Sequence, residues 1–368
     1  MAVVRPVLLA AGGTGGHLFP AEALATELGK RGIPVELVTD PRARDYAITF
    51  PARAIHAVSS ATFGSRNPID IFKSASKLGL GFGESARLLR AIRPSVVVGF
   101  GGYPSLPPLA AAQLLKMPTV VHEQNAVLGR ANRLLAKRAT RIATGFPTLA
   151  KASDQVLAKG AHVGNPVREA VLKAADSTYY PPRPDGFLRL LVFGGSQGAR
   201  VMSEIVPAAM KWLEPEFHPH LVIVQQARAE DIEAVSGIYA SAKIQAEVAP
   251  FFRDLPARMA DSHLVIARSG ASTVAELAVV GRPSILVPLP HSLDNDQLEN
   301  ARSLASVGGT TVVPQSEFTP QALARLLTDL MAKPQTLATQ AAAARSYGKP
   351  DAAARLADLV LEVARVHS

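Results

Sequence analysis

Apolar residues in this chain fall into short runs, each closed by glycine or polar residues and followed by a longer stretch in which apolar positions recur at helical spacing. Such runs read as strands buried on both faces of a parallel sheet, and the stretches between them as helices packed on it. The first unit is Val7 to Pro20, VLLAAGGTGGHLFP: a strand at 6–10, a turn through Gly12, Gly13, Gly15 and Gly16, and then a helix over 21–30. Further strands are expected at 34–39, 54–58, 95–100, 119–121 and 141–144, giving a parallel sheet of six or seven strands. The pattern restarts with a strand at 188–193, the turn Gly194-Gly195-Ser196-Gln197-Gly198 and a helix from Ala199. Strands then follow at 221–224, 246–248, 264–266, 284–287 and 311–313, and residues 320–368 read as two or three alanine-rich helices. The predicted class is therefore α/β, with two similar domains that each open on strand, glycine turn and helix. Residues 175–187 (ADSTYYPPRPDGF) read as an interdomain linker or an exposed loop.

At 368 residues, 48% hydrophobic and 19% charged, the chain can support two domains with real cores. It has no cysteine, which excludes disulfides and thiolate metal sites. No signal peptide or membrane span is expected: the apolar run after Arg5 breaks into glycines, and the charge-free window 94–115 is interrupted by glycine and proline. The net charge of +9 is unevenly placed, with 18 Lys and Arg against 8 Asp and Glu in residues 1–150 and near neutrality beyond. A basic amino-terminal half points to an anionic partner there. Nucleic acid is not expected, because aromatic residues are only 5% and no basic stretch is interleaved with stacking residues.

Several stretches carry candidate chemistry. A glycine turn before a helix can hold phosphate on its amides, and His17 at its mouth can act as a base near neutral pH or serve as a structural hydrogen-bonder. His122, Glu123, Gln124 and Asn125 lie at the carboxyl end of a strand, the edge where open α/β sheets bind ligands. The stretch from Arg268 to Glu276 follows a strand and opens a helix, so its amides and hydroxyls can receive a diphosphate. Within it, Thr273 and Glu276 read either as a capping box or as a nucleotide site with Glu276 on the ribose hydroxyls. Asp294 and Asp296 have the spacing of a metal-binding pair, but a helix start with a solvated face accounts for them and no metal is expected. Residues 67–93 mix apolar Ile69, Ile71, Phe72, Leu78 and Phe82 with basic residues such as Lys73 and Lys77. That mixture suits either an amphipathic helix packed on a sheet or an interfacial membrane contact.

Six motifs occur together and in order: Gly13-Thr14-Gly15-Gly16-His17, Gly99-Phe100-Gly101-Gly102-Tyr103, His122-Glu123-Gln124-Asn125, Gly164-Asn165-Pro166-Val167-Arg168, Gly194-Gly195-Ser196-Gln197-Gly198-Ala199 and Arg268-Ser269-Gly270-Ala271. On them the chain closely resembles the peptidoglycan N-acetylglucosaminyltransferases of glycosyltransferase family 28, over nearly its whole length. The resemblance implies the glycosyltransferase B fold, two Rossmann-like domains facing a cleft, with the last helix crossing back to the first domain. It implies an acceptor- and membrane-binding domain at 1–166, joined by helix 345–368, and a UDP-N-acetylglucosamine domain at 167–344. It further implies inverting transfer to the C4 hydroxyl of undecaprenyl-diphospho-N-acetylmuramoyl-pentapeptide without a cofactor, on the cytoplasmic face of the inner membrane, among other proteins of cell-wall synthesis.

Carried over by position, Thr14, Gly15, Gly16, Asn125, Arg168, Ser196 and Gln297 contact the donor. Glu276 binds its ribose, Phe252 lies by the uracil, and Ala271, Ser272 and Thr273 open the diphosphate helix. His17 is then the first choice for the base and Glu123 the second, and residues from Ile69 to Phe82 form a monotopic attachment to anionic lipid. The chain departs from the family pattern at Asp296, where glutamine is frequent, in a loop one residue longer around it, and at Ser272, where an aliphatic residue is common. The nearest rival is an epimerase acting on UDP-N-acetylglucosamine with the same fold. A nicotinamide dehydrogenase would need a G-x-G-x-x-G turn that neither domain has. A non-catalytic scaffold would keep the donor loops without a base.

Overall fold

A computed structural model describes residues 5–12, 15–41, 50–61, 67–183, 186–195 and 198–366, without the side chains of Pro68, Ile69, Ile71 and Leu293. The chain divides into two compact units, residues 1–168 with 350–368, and residues 169–349.

In the first unit the elements run β1 (Val7–Ala10), α1 (Gly15–Lys30), β2 (Val35–Thr39), β3 (Ala54–Ala57), α2 (Pro68–Ile92), β4 (Val96–Gly99), α3 (Gly102–Leu114), β5 (Thr119–Glu123), α4 (Arg130–Ala136), β6 (Arg141–Thr144), α5 (Asp154–Leu157) and β7 (Gly160–His162). The strands form one parallel sheet in the order β3-β2-β1-β4-β5-β6-β7, with Val7 beside both Val35 and Val96. Central strands are covered on both faces, so VLLA and VVVG are apolar at nearly every position rather than at alternate ones. Leu8, Ala10, Val97 and Val121 pack under α2, α3 and α4, whereas Val7, Leu9, Val96 and Val98 pack under α1 and a helix from the far end of the chain.

The second unit repeats the plan with α6 (Glu169–Ala174), β8 (Leu188–Phe193), α7 (Arg200–Met210), β9 (Leu221–Gln226), α8 (Ile232–Ser241), β10 (Gln245–Ala249), α9 (Leu255–Asp261), β11 (Leu264–Ala267), α10 (Ala271–Val280), β12 (Ser284–Leu286), α11 (Asp296–Ala305), β13 (Thr311–Val312), α12 (Pro320–Ala332) and α13 (Pro334–Tyr347). Its parallel sheet has the order β10-β9-β8-β11-β12-β13. Each sheet reverses its strand order once, between β1 and β4 and between β8 and β11. The chain then returns to the first unit as α14 (Ala352–Val366), the helix that covers β1 and β4. Its Leu356, Ala357, Val360, Val363 and Ala364 form one apolar stripe and are all buried with α1.

Three local expectations change. Helix α1 starts at Gly15, not Ala21, and runs through Pro20, because the burial of Leu18, Pro20, Ala21 and Leu24 outweighs the one backbone bond that proline forfeits. His17 therefore stands on a helix rather than in a loop. Residues 175–187 belong to the second unit, so of the two readings, an interdomain linker or an exposed loop, the linker falls. Tyr179 donates its hydroxyl to the His263 carbonyl (3.1 Å), and the buried Arg282 guanidinium reaches Ser177 Oγ (2.7 Å) and lies over the Tyr179 ring. The capping box at Thr273 and Glu276 does not form: α10 begins two residues before Thr273, its N-cap is Gly270, and no side chain caps it.

Candidate functional site

Open parallel sheets bind ligands at the carboxyl edge where the strand order reverses. In the first unit that edge lies at the ends of β1 and β4. A Cβ on Gly12 would sit 2.8 Å from Thr39 Oγ1 and 3.1 Å from Pro104 Cβ, so only glycine lets β1 end there. Gly15, Gly16 and His17 form the first turn of α1. Opposite them, Gly102 opens α3 at a φ of 71°, and a Cβ on it would lie 3.1 Å from His17 Cδ2 and 3.3 Å from Nε2. The imidazole thus rests on bare backbone. Its Nδ1 is buried and makes no hydrogen bond. Burial holds the His17 pKa below the ordinary imidazole value, opposed in part by the Gln124 side chain and the Phe100 carbonyl, so the ring is neutral at pH 7.

The end of β5 carries the densest polar network described at this edge. Glu123 is buried, with Oε1 accepting from the Asn125 backbone N–H (3.0 Å) and more weakly from Asn125 Nδ2 (3.4 Å). Its Oε2 accepts from the Gly129 N–H (2.9 Å) and Asn132 Nδ2 (2.7 Å). Burial raises its pKa, and these hydrogen bonds oppose the rise. Both oxygens are committed to folding residues 124–132, so the geometry gives Glu123 the task of holding Asn125 in place. Beside it, Gln124 Nε2 donates to the Phe100 carbonyl (2.8 Å) and to His122 Nδ1 (3.1 Å). A carbonyl can only accept, so the 3.2 Å bond from His122 to the Gly164 oxygen makes Nε2 the protonated nitrogen of His122 and leaves Nδ1 to accept. Asn165 Nδ2 donates to the Gln124 carbonyl (2.8 Å), which ties the fourth motif to the third. Arg168 closes the unit with its guanidinium 4.1 Å over the Phe19 ring of α1. Thr14 lies outside the described residues.

In the second unit the edge lies at the ends of β8 and β11. Gln226 Oε1 accepts from the Gly194 N–H (3.2 Å) and its Nε2 donates to the Pro250 carbonyl (3.1 Å), so one side chain joins the glycine turn to the segment bearing Phe251 and Phe252. Phe252 is buried with the Arg258 guanidinium 4.3 Å over its ring, whereas Phe251 is exposed. Ser196 lies outside the described residues. Ala271, Ser272 and Thr273 form the first turn of α10, whose N-terminal amides have no side-chain cap, and Glu276 is buried one turn further in. Uncapped amides at a ten-residue helix start favour an anion.

Gln297 stands in the first turn of α11. Its Oε1 accepts from the Leu289 N–H (3.0 Å), and its own carbonyl accepts from Ser269 Oγ (2.8 Å). Asn300 Nδ2 completes the stitch by donating to the Ser269 carbonyl (3.2 Å). The buried Arg268 guanidinium holds the Val287 and Pro288 carbonyls (3.0 and 3.1 Å) and Gln315 Oε1 (2.6 Å). Asp294 and Asn295 are left-handed, and Asp296 Oδ1 accepts from the Gln297 N–H (2.7 Å), the geometry of a helix start.

Comparison with known proteins follows the same division. Residues 7–144 match the glycosyltransferase family 28 N-terminal domain and residues 189–356 its C-terminal domain. This chain belongs to glycosyltransferase family 28. It is 56% identical over 366 residues, 99% of this chain and 98% of the relative, to the UDP-N-acetylglucosamine--N-acetylmuramyl-(pentapeptide) pyrophosphoryl-undecaprenol N-acetylglucosamine transferase of Methylobacterium sp. (strain 4-46). The crystal structure of Acinetobacter baumannii MurG matches with a TM-score of 0.79 at 31% identity, covering 97% of this chain and 99% of that one. The UDP-GlcNAc 2-epimerase of Neisseria meningitidis, bound to UDP-GlcNAc, matches with a TM-score of 0.69 at 13% identity over 97% of this chain and 100% of that one, a likeness of fold alone. As a family 28 glycosyltransferase the chain is a transferase, and the epimerase reading is set aside. The residues that the sequence motifs did not single out, Gln226, Asn132 and Asn300, act through hydrogen bonds to loops distant in sequence, which no local pattern reveals.

Proposed function

We propose that this chain transfers N-acetylglucosamine from UDP-N-acetylglucosamine to the C4 hydroxyl of undecaprenyl-diphospho-N-acetylmuramoyl-pentapeptide. The observation that carries the reading is the full-length likeness, at 56% identity, to a relative named for that transfer. In the displacement the acceptor oxygen forms its bond to C1 as the bond from C1 to the diphosphate oxygen breaks, with inversion. The electron pair leaves on UDP and the hydroxyl proton goes to a base. His17, neutral and on the first turn of α1, is the base in this reading, and Glu123 serves it by fixing Asn125. UDP is received by the uncapped start of α10 at Ala271, Ser272 and Thr273, with Glu276 on the ribose, Phe252 by the uracil and Gln297 on the sugar. Thr14, Gly15, Gly16, Arg168 and Ser196 complete the donor contacts by resemblance.

The test is UDP release in excess chelator, with and without a polyprenyl-diphospho-N-acetylmuramoyl-peptide acceptor. Release that needs the acceptor supports the transferase, and acceptor-independent turnover refutes it. His17→Ala is expected to lower kcat roughly 100-fold, the low end of what a general base contributes, and full turnover would remove His17 from the role.

The acceptor's polyprenyl tail places the enzyme at a membrane surface, and α2 suits that contact. No described helix is long and apolar enough to cross a membrane. Phe72 is 74% and Leu80 59% exposed, beside exposed Lys73 and Lys77, whereas Leu78 and Phe82 are half-buried. The side chains of Ile69 and Ile71 lie outside the described structure. Leu114 of α3 and Leu134 of α4 are also exposed, at 65% and 69%, with Lys137 and Arg138 next to the latter. Exposed apolar residues among cations favour anionic lipid. Binding to phosphatidylglycerol vesicles should be salt-sensitive and fall with Phe72→Ser and Leu80→Ser together; unchanged binding would refute the contact.

A further inference from the structure

We infer that Gln124 is a positioning residue that fixes His17 in the tautomer bearing its hydrogen on Nδ1, leaving the Nε2 lone pair to take the acceptor's proton. The inference rests on the proposed role of His17 as base. Three observations carry it, and the first is the lock on the Gln124 amide. Both hydrogens of Nε2 are spent, one on the Phe100 carbonyl and one on His122 Nδ1, and His122 is itself held by its own bond to the Gly164 carbonyl. The amide cannot rotate without turning its oxygen onto a carbonyl, so Oε1 is an acceptor of fixed direction.

The second observation is a matched pair of unsatisfied atoms. Gln124 Oε1 and His17 Nδ1 are both buried and neither makes a hydrogen bond. Gly101 and Gly102, adjacent and both at positive φ, lie against these two side chains: a Cβ on Gly101 would lie 3.6 Å from Gln124 Oε1, and one on Gly102 would lie 3.3 Å from the other ring nitrogen of His17, Nε2. Buried polar atoms left alone are costly, and a donor on one of these groups with an acceptor on the other would satisfy both after a small closure.

The third observation is what surrounds the ring. The two groups that act on His17 most strongly besides burial are the Gln124 side chain and the Phe100 carbonyl. With both Nε2 hydrogens of Gln124 committed, each of these presents only an oxygen. A bare lone pair on Nδ1 would have only acceptors to meet, whereas an N–H there would be satisfied by either. The titratable neighbours do not alter this choice. His122 on β5 is neutral, both oxygens of Glu123 are occupied by the 124–132 loop, and burial raises the Glu22 pKa on α1, opposed by the Arg168 charge.

The experiment is long-range proton–nitrogen NMR of the full-length protein labelled with ¹⁵N-histidine at pH 7.5, with His17 assigned by the signals that vanish in His17→Gln. The wild type is expected to show Nδ1–H at His17 and Nε2–H at His122. Gln124→Leu is expected to lose the Nδ1–H form and to lower kcat about tenfold with the KM for UDP-N-acetylglucosamine unchanged, the scale on which outer partners tune a ligating or reacting group. Gln124→Glu keeps an acceptor and is expected to retain Nδ1–H. An Nε2–H ring at His17 in the wild type overturns the inference whatever the variants do, as does a Gln124→Leu protein that keeps Nδ1–H. A tautomer that switches while kcat stays constant supports the hydrogen bond and refutes the base, so the two readings fail separately.

Discussion

Acid should unfold the first unit through His122. The side chain is fully buried, and burial, with a smaller contribution from His17, lowers its pKa to about 4 against an ordinary 6.5. An imidazole whose folded pKa is depressed is neutral in the fold and protonated in the open chain between those two values. Its contribution to stability is therefore complete above pH 6.5 and is lost as pH falls towards 4. At 1.36 kcal/mol per pH unit the full window is worth about 3 kcal/mol, of which about 2 kcal/mol is gone by pH 5. The variant His122→Gln can donate to the Gly164 carbonyl and accept from Gln124 without titrating, so it should lose that much less between pH 7 and pH 5.

Native-state hydrogen exchange of the β5 amides is the suitable assay, because it reads opening of the first unit. The one tryptophan, Trp212, lies in the second unit and is exposed, so its fluorescence serves as the control for that half. Other groups titrate nearby: His17 is shifted in the same direction as His122, and Glu22 and Glu123 in the stabilising-at-low-pH direction. Glu22 and Glu123 are common to both proteins and largely cancel in the difference, while loss of the His17–His122 repulsion in the variant enlarges it. If the wild type and His122→Gln lose protection in parallel from pH 7 to pH 5, the buried neutral imidazole is not what the acid attacks.

Gly81→Ala would put a Cβ 1.8 Å from the Ser59 carbonyl, where Glu84 also pins the Ser59 N–H, and should cost about 3 kcal/mol in denaturant unfolding; Gly79→Ala and Gly83→Ala meet nothing and should each gain roughly 0.5–1 kcal/mol. Three equal effects would contradict that asymmetry. Ser269→Ala removes the hydroxyl that anchors Gln297, and loss of about 1 kcal/mol of positioning should raise the KM for UDP-N-acetylglucosamine roughly fivefold with little change in kcat. Arg282→Met strands the Ala260 carbonyl and Ser177 and should lower the second unit's stability by about 2–4 kcal/mol, visible as an earlier Trp212 transition and refuted by an unmoved one.

Most strands were legible because a chain segment buried on both faces has few polar positions; twelve of the thirteen described strands overlap strands expected from the sequence, the largely exposed edge strand β10 (QAEVA) among them. The exception, GAH at 160–162, is a three-residue edge strand with no apolar run to announce it. Helix starts were less legible. Pro20 and the glycines before it suggest a loop, yet tertiary burial of one face of α1 prevails; Thr273 and Glu276 have capping-box spacing, yet the chain enters α10 through Gly270. The proline-rich stretch at 175–187 has a linker's composition, but what fixes it is a buried arginine about a hundred residues away, a partnership that composition does not encode. At the site, His17, Glu123 and Asn125 were visible as residue types after strand ends and Gln297 only through the family resemblance, whereas the division of labour among them depends on which hydrogen bonds they already spend.

That spending pattern also distinguishes what each sheet edge offers the proposed displacement. The proposed reaction moves a proton away from the acceptor and delivers negative charge to the leaving diphosphate. At the first edge, burial keeps two imidazoles neutral, and the carboxylate one residue after His122, Glu123, has both oxygens tied to amide donors. Of these three groups, His17 is the one with a polar atom, Nδ1, that makes no hydrogen bond. At the second edge, α10 presents uncapped amides, and the nearby Arg268 already holds three acceptors, so the positive end available to an anion is the helix start itself. A base that is neutral at rest and an anion site made of backbone dipoles both act without a prior ionisation. On this reading the rate rises as His17 loses its proton and is level above its pKa, without a second ionisation of Arg268 or Glu123 at alkaline pH. A bell-shaped profile whose alkaline limb persists in His17→Gln would place an acid in the reaction that this account does not contain.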